Sequence, residues 1–197
     1  MNEFWAIILA AGESKRMGFP KMLLPFNGRT MIENVIANVT ESKVDKIMVV
    51  LGAYLDALVE KIKELDVRNC YNDNYMQGML SSVQCGFRNL PPDYKAALVF
   101  QGDQPLITPN AINTVIEAYS SSGKGIVIPV YNTKHGHPLL IGVKYKDEIE
   151  KLTPDSGLHS LASKFPDDVM EVETDEPGIL RDFDTYDEYK EGINQIQ

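Results

Sequence analysis

The feature that most constrains this chain is an apolar run that ends in small residues and is followed at once by a basic loop. Residues 4–10 read FWAIILA, and residues 11–21 (the basic loop) contain two glycines and three cationic side chains. Short apolar runs bounded by glycine are typical of buried strands in a parallel sheet. Ligands usually bind in the crevice at the carboxyl end of such strands. The sequence therefore predicts a parallel α/β sheet with a ligand site after its first strand.

The junction between this strand and the basic loop has the composition of a polyphosphate-binding site. Its small residues are Ala10, Ala11 and Gly12, and its cations are Lys15, Arg16 and Lys21. Without bulky side chains, a phosphate can reach the backbone N–H groups, and the cations supply charge and fork-shaped donors. Glycine-rich loops with cations also occur on ordinary surfaces. This loop has neither the Gly-Lys-Ser/Thr ending of a Walker loop nor the glycine spacing of a dinucleotide-binding fold.

The remainder of the chain alternates between strand and helix patterns. Strands are predicted at residues 46–51, 67–71, 95–101, 126–130, 139–143 and 169–172. Apolar residues at helical spacing predict helices at residues 31–39, 55–62, 109–119, 147–152 and 186–193, and one that begins near residue 80. Thr30 and Glu33 form a capping-box pattern at the first helix, and Thr108 precedes a proline at the fourth. This alternation predicts a parallel sheet with right-handed crossovers.

Length, composition and charge set further limits. At 197 residues the default is one compact domain over residues 1–197, and a hydrophobic content of 44% is ordinary for a globular protein. The formal net charge of −9 argues against a nucleic-acid partner, whose phosphates the surface would repel. No run is long enough to cross a bilayer, and residues 4–10 lack a charged leader. We therefore expect a cytoplasmic protein with neither nucleic acid nor membrane as a partner.

One carboxylate marks the end of a predicted central strand. Asp103 follows the strand at 95–101, within the sequence GDQPL (residues 102–106). A carboxylate in that place lies at the mouth of the crevice, and carboxylate oxygen is the ligand that Mg²⁺ prefers. Aspartate is also enriched at helix caps and turns, so Asp103 has a second, structural interpretation.

A second acidic pair lies near the end of the chain. If residues 180–184 are extended, Asp182 and Asp184 point to the same side, because side chains alternate along a strand. One or both would then face Asp103 across the crevice and complete a magnesium site. Asp184 followed by Thr185 also resembles a helix start, so one aspartate can cap the helix while the other binds metal. The sequence leaves both roles open.

Histidine, cysteine and one polar segment give weaker signals. His135 and His137 are separated by one residue, but no third soft ligand follows at metal spacing, so we do not predict a transition metal. Cys70 and Cys85 fit neither a zinc site nor a disulfide framework, and we expect buried free thiols. The polar and aromatic segment at residues 72–86 is either a surface loop leading into a helix or part of the ligand site.

Residues 9–25 resemble the opening motif of nucleotidyltransferases: Leu-Ala-Ala/Gly-Gly, three variable residues, Arg-Met-Gly, and then Pro-Lys. They match it at every fixed position. With Leu-Leu-Pro at residues 23–25 and Gly28, the closest branch is the molybdenum cofactor cytidylyltransferases of the MobA-like family. Residues 102–106 resemble the metal-binding motif of this family, and residues 182–185 resemble its Asp-Ile-Asp-Thr. The resemblance spans nearly the whole chain.

The resemblance implies a fold, a reaction and a set of ligands. The fold is a three-layer α/β/α Rossmann-like nucleotidyltransferase fold with a mainly parallel, partly mixed sheet. The reaction moves CMP from CTP to the terminal phosphate of molybdopterin and releases pyrophosphate. The cofactor would be Mg²⁺, with Mn²⁺ as the alternative, and the partner would be a molybdenum hydroxylase that uses the product.

Matching the family motifs residue by residue gives the candidate site residues. Nucleotide contacts are implied for Leu9, Ala10, Ala11, Gly12, Lys15, Arg16, Lys21, Gly78, Ser82 and Asp103. Catalytic roles are implied for Arg16, Lys21 and Asp103, metal ligation for Asp103 and Asp184, and a substrate contact for His137. No general base is required when the acceptor is a phosphate monoester, which is already anionic at neutral pH.

Two features bear on the choice of substrates. Where the family often has Gly-Asp-x-Gly-Ala-Arg, this chain keeps Asp155 and Gly157. It has Leu158 and His159 in place of Ala-Arg, which puts the contribution of the arginine in doubt. Ala11, where the guanylyl branch has glycine, narrows the base pocket and favours a pyrimidine. A guanylyl or other transferase acting on a sugar phosphate is an alternative, as is a nucleotide-binding sensor or a cofactor-insertion chaperone.

Overall fold

The computed structural model describes residues 3–154 and 156–194. Ten strands occur in these residues: β1 Phe4–Ala10, β2 Pro25–Phe26, β3 Arg29–Thr30, β4 Lys46–Leu51, β5 Arg68–Tyr71, β6 Ala96–Gln101, β7 Ile126–Tyr131, β8 Lys134–His135, β9 Leu139–Gly142 and β10 Val169–Glu173. Seven α-helices occur in the same residues: α1 Met31–Thr40, α2 Leu55–Ile62, α3 Met79–Arg88, α4 Pro109–Ser122, α5 Lys146–Glu150, α6 His159–Lys164 and α7 Tyr186–Asn194. Short 3₁₀ helices lie at Lys21–Leu23, Tyr75–Gln77, Val143–Tyr145, Pro166–Asp168 and Pro177–Leu180.

One mixed sheet forms the centre of the fold. Its strand order is β10-β7-β9-β6-β1-β4-β5, with β8 paired to β7, while β2 and β3 form a separate hairpin. β1 pairs in parallel with both β4 and β6, so that Ile8 lies between Val49 and Phe100. β9 runs antiparallel to its neighbours β6 and β7. The mainly parallel, partly mixed sheet is therefore confirmed, and the basic loop leaves it from a central strand.

Alternation along β1 explains the three layers. Its even-numbered residues pack into one core with apolar side chains of α1, α2 and α4. Its odd-numbered residues pack into a second core with apolar side chains of α3, α5 and α6. Because successive side chains point to opposite faces, a strand that is apolar throughout needs cover on both sides. The helices supply that cover as two outer layers, which gives the α/β/α fold that the resemblance implied.

Most of the local predictions are confirmed. At α1, Glu33 N–H donates to Thr30 Oγ1 at 3.4 Å, and Thr30 N–H donates to a Glu33 carboxylate oxygen at 2.7 Å. Thr108 caps α4, as predicted. This helix is three residues longer than the periodicity indicated, because it ends only before Gly123, whose φ of +70° stops a helix. The prediction for α5 was wrong at both ends, since the helix starts one residue earlier and stops two residues earlier.

A third, smaller core ties distant parts of the chain together. Its buried members are Met17, Phe26, Met31, Phe183 and Tyr189. The ring centroids of Phe26 and Phe183 are 5.7 Å apart, and the Tyr189 hydroxyl donates to the Pro25 carbonyl oxygen at 2.5 Å. Aromatic contacts of this kind bury a large apolar area. The third core therefore holds the basic loop, the β2–β3 hairpin and the segment before α7 against one another.

Two further predictions concern thiols and membranes. Cys70 on β5 and Cys85 on α3 are free and buried, which confirms the expected state of both thiols. Among the helices in residues 3–154 and 156–194, none combines the length and apolar composition that a membrane span requires.

Candidate active site

The basic loop leaves β1 at the carboxyl edge of the sheet and folds back on itself. Met17 N–H donates to the Ser14 carbonyl oxygen at 2.9 Å, and Lys21 N–H donates to the Ser14 hydroxyl at 3.2 Å. By contrast, no described residue accepts a hydrogen bond from the N–H groups of Gly12 and Glu13. These two donors are therefore available to an anion beside the loop.

Three carboxylates converge near this loop. Asp103 follows β6, whereas Asp182 and Asp184 precede α7. One oxygen from each carboxylate lies within 4.8 Å of the others. Asp103 is buried, with 4% of its surface exposed, while Asp184 is half-buried and Asp182 is exposed. The two acidic segments thus meet across the crevice, and both aspartates of the second segment take part.

Gly102 allows Asp103 to occupy its position. A Cβ atom at Gly102 would lie 2.9 Å from the Leu9 carbonyl oxygen and 2.9 Å from the Met22 sulfur. The Gly102 N–H donates to that same Leu9 oxygen at 3.0 Å. Real Cβ atoms do not approach backbone oxygen so closely, so any larger residue would push the end of β6 away from β1 and displace the carboxylate that follows.

Phe183 orients the aspartates on either side of it. Its side chain is fully buried in the third core. Alternate residues of an extended segment share one side, so burial of Phe183 leaves Asp182 and Asp184 on the other side, towards Asp103. The alternation of side chains was predicted from the sequence, but the burial of Phe183 was not. An aromatic residue between two aspartates was the available signal.

The helix-start interpretation of Asp184 has a different outcome. Thr185 caps α7, because Glu188 N–H donates to the Thr185 hydroxyl at 3.3 Å. The Glu188 carboxylate accepts from the N–H groups of Thr185 and Asp184, both at 2.9 Å. These bonds hold the pKa of Glu188 below its usual value. Since Thr185 and Glu188 satisfy the helix end, the Asp184 carboxylate is left for the site.

The two predicted catalytic cations pair with these carboxylates. Lys21 Nζ forms an ion pair with Asp103 and lies 3.2 Å from Asp184 Oδ1. Arg16 Nη2 lies 2.8 Å from Asp184 Oδ2. Burial lowers the pKa of Lys21, but the charges of Asp103 and Asp184 outweigh burial and raise it above the usual value. Lys21 is therefore a firmly charged ammonium at the centre of the acidic cluster.

The carboxylates fit a divalent cation. Although Asp182 is exposed at the surface, partial burial of its carboxylate and then the neighbouring charges of Asp103 and Asp184 raise its pKa. Carboxylate oxygen is the preferred ligand of hard divalent ions. Among the side chains of residues 3–154 and 156–194, this is the one group of three or more His, Cys, Asp or Glu close enough to hold a metal ion.

A cavity of about 240 Å³ lies next to the carboxylates. Seven of the predicted nucleotide contacts line it: Leu9, Ala11, Gly12, Lys21, Gly78, Ser82 and Asp103. Arg16 and Lys15 line an adjoining cavity of about 290 Å³. Lys15 is exposed and pairs with Glu13 at 2.9 Å, and the side chain of Ala10 is buried in the core rather than in either cavity.

Four residues that were not predicted also line the first cavity: Met22, Tyr75, Met79 and Gln101. Tyr75 and Met79 lie in the segment at residues 72–86, and an aromatic residue in a loop after a strand was the available signal. Gln101 is the polar last residue of an otherwise apolar strand, which also points to a site. Met22 gave no such signal in the sequence.

Asn72 ties this segment to α3. Its side-chain amide donates to the hydroxyls of Ser81 and Ser82, at 2.9 and 3.0 Å. Ser82 is 4% exposed and lines the first cavity. Because Asn72 follows directly after β5, the end of that strand is linked through two hydrogen bonds to the wall of the cavity.

A second cavity, of about 420 Å³, adjoins the first, since Leu9 and Met79 line both. The three histidines of the chain all line it: His135, His137 and His159. Its other walls are mostly aliphatic, and no Lys, Arg, Asp or Glu occurs among its described lining residues. Burial lowers the pKa of His137, so its ring is neutral near pH 7. Its Nε2 lies 3.3 Å from Nε2 of Gln101, at the junction of the two cavities.

The segment that departs from the family pattern also reaches this cavity. Leu158 and His159 line it, whereas Asp155 lies outside the described residues. His135 is exposed at the surface, where its Nε2 lies 2.8 Å from Glu171 Oε1. No role was predicted for His135 or His159, because nothing in local spacing showed that these two residues share a cavity.

Comparisons with known proteins identify the family to which this chain belongs. The family model of the MobA-like NTP transferase domain matches residues 6–169. The molybdenum cofactor cytidylyltransferase of Escherichia coli (strain K12) is 26% identical over 190 residues, which cover 96% of this chain and 95% of that protein. The bifunctional protein GlmU of Clostridium tetani (strain Massachusetts / E88) is 31% identical over 120 residues, which are 60% of this chain but only 26% of GlmU.

Solved structures show the same fold. Rv0371c from Mycobacterium tuberculosis H37Rv superposes with a TM-score of 0.87 at 23% identity, covering 98% of this chain and 97% of that one. The complex of Rv0371c with manganese superposes with a TM-score of 0.82 at 22% identity, covering 98% of both chains.

Proposed function

Because this chain belongs to the MobA-like NTP transferase domain family and is a nucleotidyltransferase, we propose that it transfers CMP from CTP to the terminal phosphate of a molybdopterin-type acceptor, releasing pyrophosphate. The observation that carries the proposal is the convergence of Asp103, Asp182 and Asp184 beside two cations. This combination of hard anionic ligands with cations suits a polyphosphate that binds together with a divalent ion.

The proposed step is a displacement at phosphorus. An oxygen of the acceptor phosphate attacks the α-phosphorus of CTP, the bond from that phosphorus to the β-phosphate oxygen breaks, and pyrophosphate leaves. The protein supplies position and charge in such a reaction rather than a covalent intermediate. We assign Lys21 to the α-phosphate, where charge builds, and Arg16 with the free N–H groups of the basic loop to the β- and γ-phosphates.

The metal assignment follows from the carboxylates. Asp103 and Asp184 would hold Mg²⁺, with Asp182 beside them, and the manganese complex of Rv0371c makes Mn²⁺ the alternative. When bound, the ion supplies positive charge that polarises the phosphate oxygens. Lys21 and Arg16 now pair with the same carboxylates, so both cations must exchange partners when nucleotide and metal bind.

We assign the body of the acceptor to the second cavity. A sugar phosphate carries many hydroxyls and would need matching polar side chains, because buried polar groups are costly when unpaired. The aliphatic walls instead suit the faces of a flat heteroaromatic ring, and the three histidines and Ser163 supply partners for a few polar groups at its edge. The similarity to the Escherichia coli cytidylyltransferase supports molybdopterin as that acceptor and a molybdenum hydroxylase as the user of the product.

A screen of pyrophosphate release tests the proposal. CTP, GTP, ATP and UTP are each incubated with molybdopterin, with a sugar phosphate or with no acceptor, in the presence of Mg²⁺ or Mn²⁺. We expect release only with CTP and molybdopterin, and none after chelation of the metal. If pyrophosphate is released with a sugar phosphate but not with molybdopterin, a sugar phosphate is the acceptor and our assignment is wrong. Nucleotide binding without pyrophosphate release in every mixture would favour a sensor or a cofactor-insertion chaperone.

A further inference from the structure

Two thiols that the transfer step does not use lie in contact with each other. Cys70 is on β5 and Cys85 is on α3, with 9% and 8% of their surfaces exposed, and their Sγ atoms are 3.7 Å apart. A disulfide needs an S–S distance of about 2.05 Å, so a displacement of less than about 2 Å would join them. We propose that this pair is a site of reversible oxidation, at which a peroxide converts the two thiols into one disulfide and thereby weakens nucleotide binding.

The position of the pair connects it to the nucleotide cavity. The segment between the two cysteines supplies four residues to that cavity: Tyr75, Gly78, Met79 and Ser82. The cysteines therefore stand at the two ends of the segment that forms one wall of the cavity, and a bond between them would close a ring around it. The inference rests on the nucleotide-binding part of the proposed function.

The helix side of the pair is held firmly. A Cβ atom at Gly86, next to Cys85, would lie 2.6 Å from Ile7 Cγ2, so α3 already touches the sheet and cannot approach it further. In contrast, β5 is at the edge of the sheet and pairs only with β4 among the described strands. We therefore expect the end of β5 to move when the bond forms. Asn72 follows that end directly, so the displacement strains its hydrogen bonds to Ser81 and Ser82.

The chemistry balances with hydrogen peroxide as the oxidant. The Cys85 thiol donates to the Tyr71 carbonyl oxygen at 3.5 Å and accepts from Asn89 Nδ2 at 3.9 Å, while burial raises the pKa of Cys70 to about 12, so we assign the first attack to Cys85. Cys85 Sγ releases its proton to water and attacks one peroxide oxygen, the O–O bond breaks, and a sulfenic acid forms, while the departing hydroxide takes up a proton and leaves as one water. The Cys70 sulfur then displaces the hydroxyl group, which leaves as a second water with the Cys70 proton. Two thiols lose two electrons, and one peroxide is reduced.

The test compares the reduced and oxidised forms of the full chain. The protein is reduced with dithiothreitol, treated with hydrogen peroxide, and measured by intact mass, by thiol alkylation and by calorimetric titration with CTP and Mg²⁺. We expect the loss of two hydrogen atoms, no free thiol, and CTP binding weakened about tenfold, a typical size for coupling between two sites. Dithiothreitol should reverse all three effects, and Cys70→Ser or Cys85→Ser should prevent them. If a serine variant fails to fold, the alanine variant replaces it.

Hydrogen peroxide also oxidises methionine, and this effect must be separated from that of the disulfide. Met76 and Met79 are exposed, and each sulfoxide adds one oxygen that dithiothreitol does not remove. The Cys85→Ser variant carries the same methionines and therefore isolates their effect.

Hydrogen exchange at residues 72–82 gives a readout that does not need CTP, and we expect faster exchange in the oxidised form. The inference is overturned if no disulfide forms under conditions that oxidise the methionines. It is also overturned if the disulfide leaves both the exchange rates and the CTP affinity unchanged. If the reduced chain binds no CTP, the proposed function fails, while the mass and the exchange rates still decide the inference.

Discussion

The two adjoining cavities differ sharply in their chemistry. The first is bordered by Asp103, Lys21 and Gly12, whose N–H group donates to no described residue. The second has aliphatic walls and three histidines. Its described lining residues include no Lys, Arg, Asp or Glu. Charge is thus confined to the place where phosphates would react, and the rest of the pocket selects by shape and by a few hydrogen bonds. We therefore expect that the reaction and the choice of acceptor can be changed by separate substitutions.

The largest effect is expected from removing the buried carboxylate. Asp103→Ala should lower pyrophosphate release by about 10³-fold, because the charged side of the site loses its metal ligand. Asp103→Asn keeps the size of the side chain but removes its charge, and it should lower pyrophosphate release by nearly the same factor. Thermal melting checks that both variants fold, and a rate within tenfold of the unchanged chain would contradict the assignment.

Lys21 should come next. Lys21→Ala should lower the rate of transfer by about 10²-fold, since no other buried cation neutralises the α-phosphate in our assignment. Lys43→Ala is the matched control, because Lys43 pairs with Glu117 on the surface and should have no effect. Steady-state kinetics separates kcat from KM, and an effect of Lys21→Ala on KM for CTP alone would assign Lys21 to ground-state binding only.

The second cavity can be altered without touching the first. Leu158→Arg places a charge against apolar walls and should raise KM for the acceptor by about tenfold or more, while the Kd for CTP stays unchanged. Leu158→Met keeps both volume and polarity and should be nearly silent. An equal loss of CTP affinity in Leu158→Arg would show that the two cavities do not act separately.

The choice between nucleotide bases should depend on Ala11, which lines the first cavity. Ala11→Gly removes one methyl group and should raise kcat/KM for GTP relative to CTP by about tenfold, the lower end of what one such group is worth. Competition between the two nucleotides in a single reaction measures this ratio directly. An unchanged ratio would show that Ala11 does not read the base.

The smallest effect is expected at the cap of α7. Thr185→Ala should lower the free energy of unfolding by about 1 kcal/mol, as loss of a helix cap usually does. Denaturant melts measure this difference.

Glu188 at the same helix end should make stability depend on pH. The pKa of Glu188 is lowered in the folded chain, so its carboxylate stabilises the fold at pH values above its usual pKa of 4.5. This contribution is lost as the pH falls below 4.5 and through the lower pKa of the folded chain. Denaturant melts of Glu188→Gln should therefore differ from those of the unchanged chain at pH 7 and approach them in acid. A constant difference at every pH would contradict this account.

The fold could be read largely from local patterns. Strands such as β4 and the capping box of Thr30 and Glu33 depend on residues close together in the sequence, and periodicity reports burial directly. Errors fell at helix ends, as in α4 and α5, where tertiary contacts and a single glycine decide the last turn, and at the two-residue strands β2, β3 and β8, which were not predicted. The motif at residues 9–25 located the basic loop because its chemistry is local as well.

By itself, the sequence determined the order of the seven longer strands and of most helices, the cationic loop after β1 and the carboxylate after β6. Only the tertiary structure decided that Lys21 meets Asp184, 163 residues later in the chain, and that Phe183 turns two aspartates towards the site. It alone brought three separated histidines into one cavity and placed two thiols in contact. The physical reason is that side-chain periodicity records which face of an element is buried, whereas the partners that cover that face are chosen by packing across the whole chain.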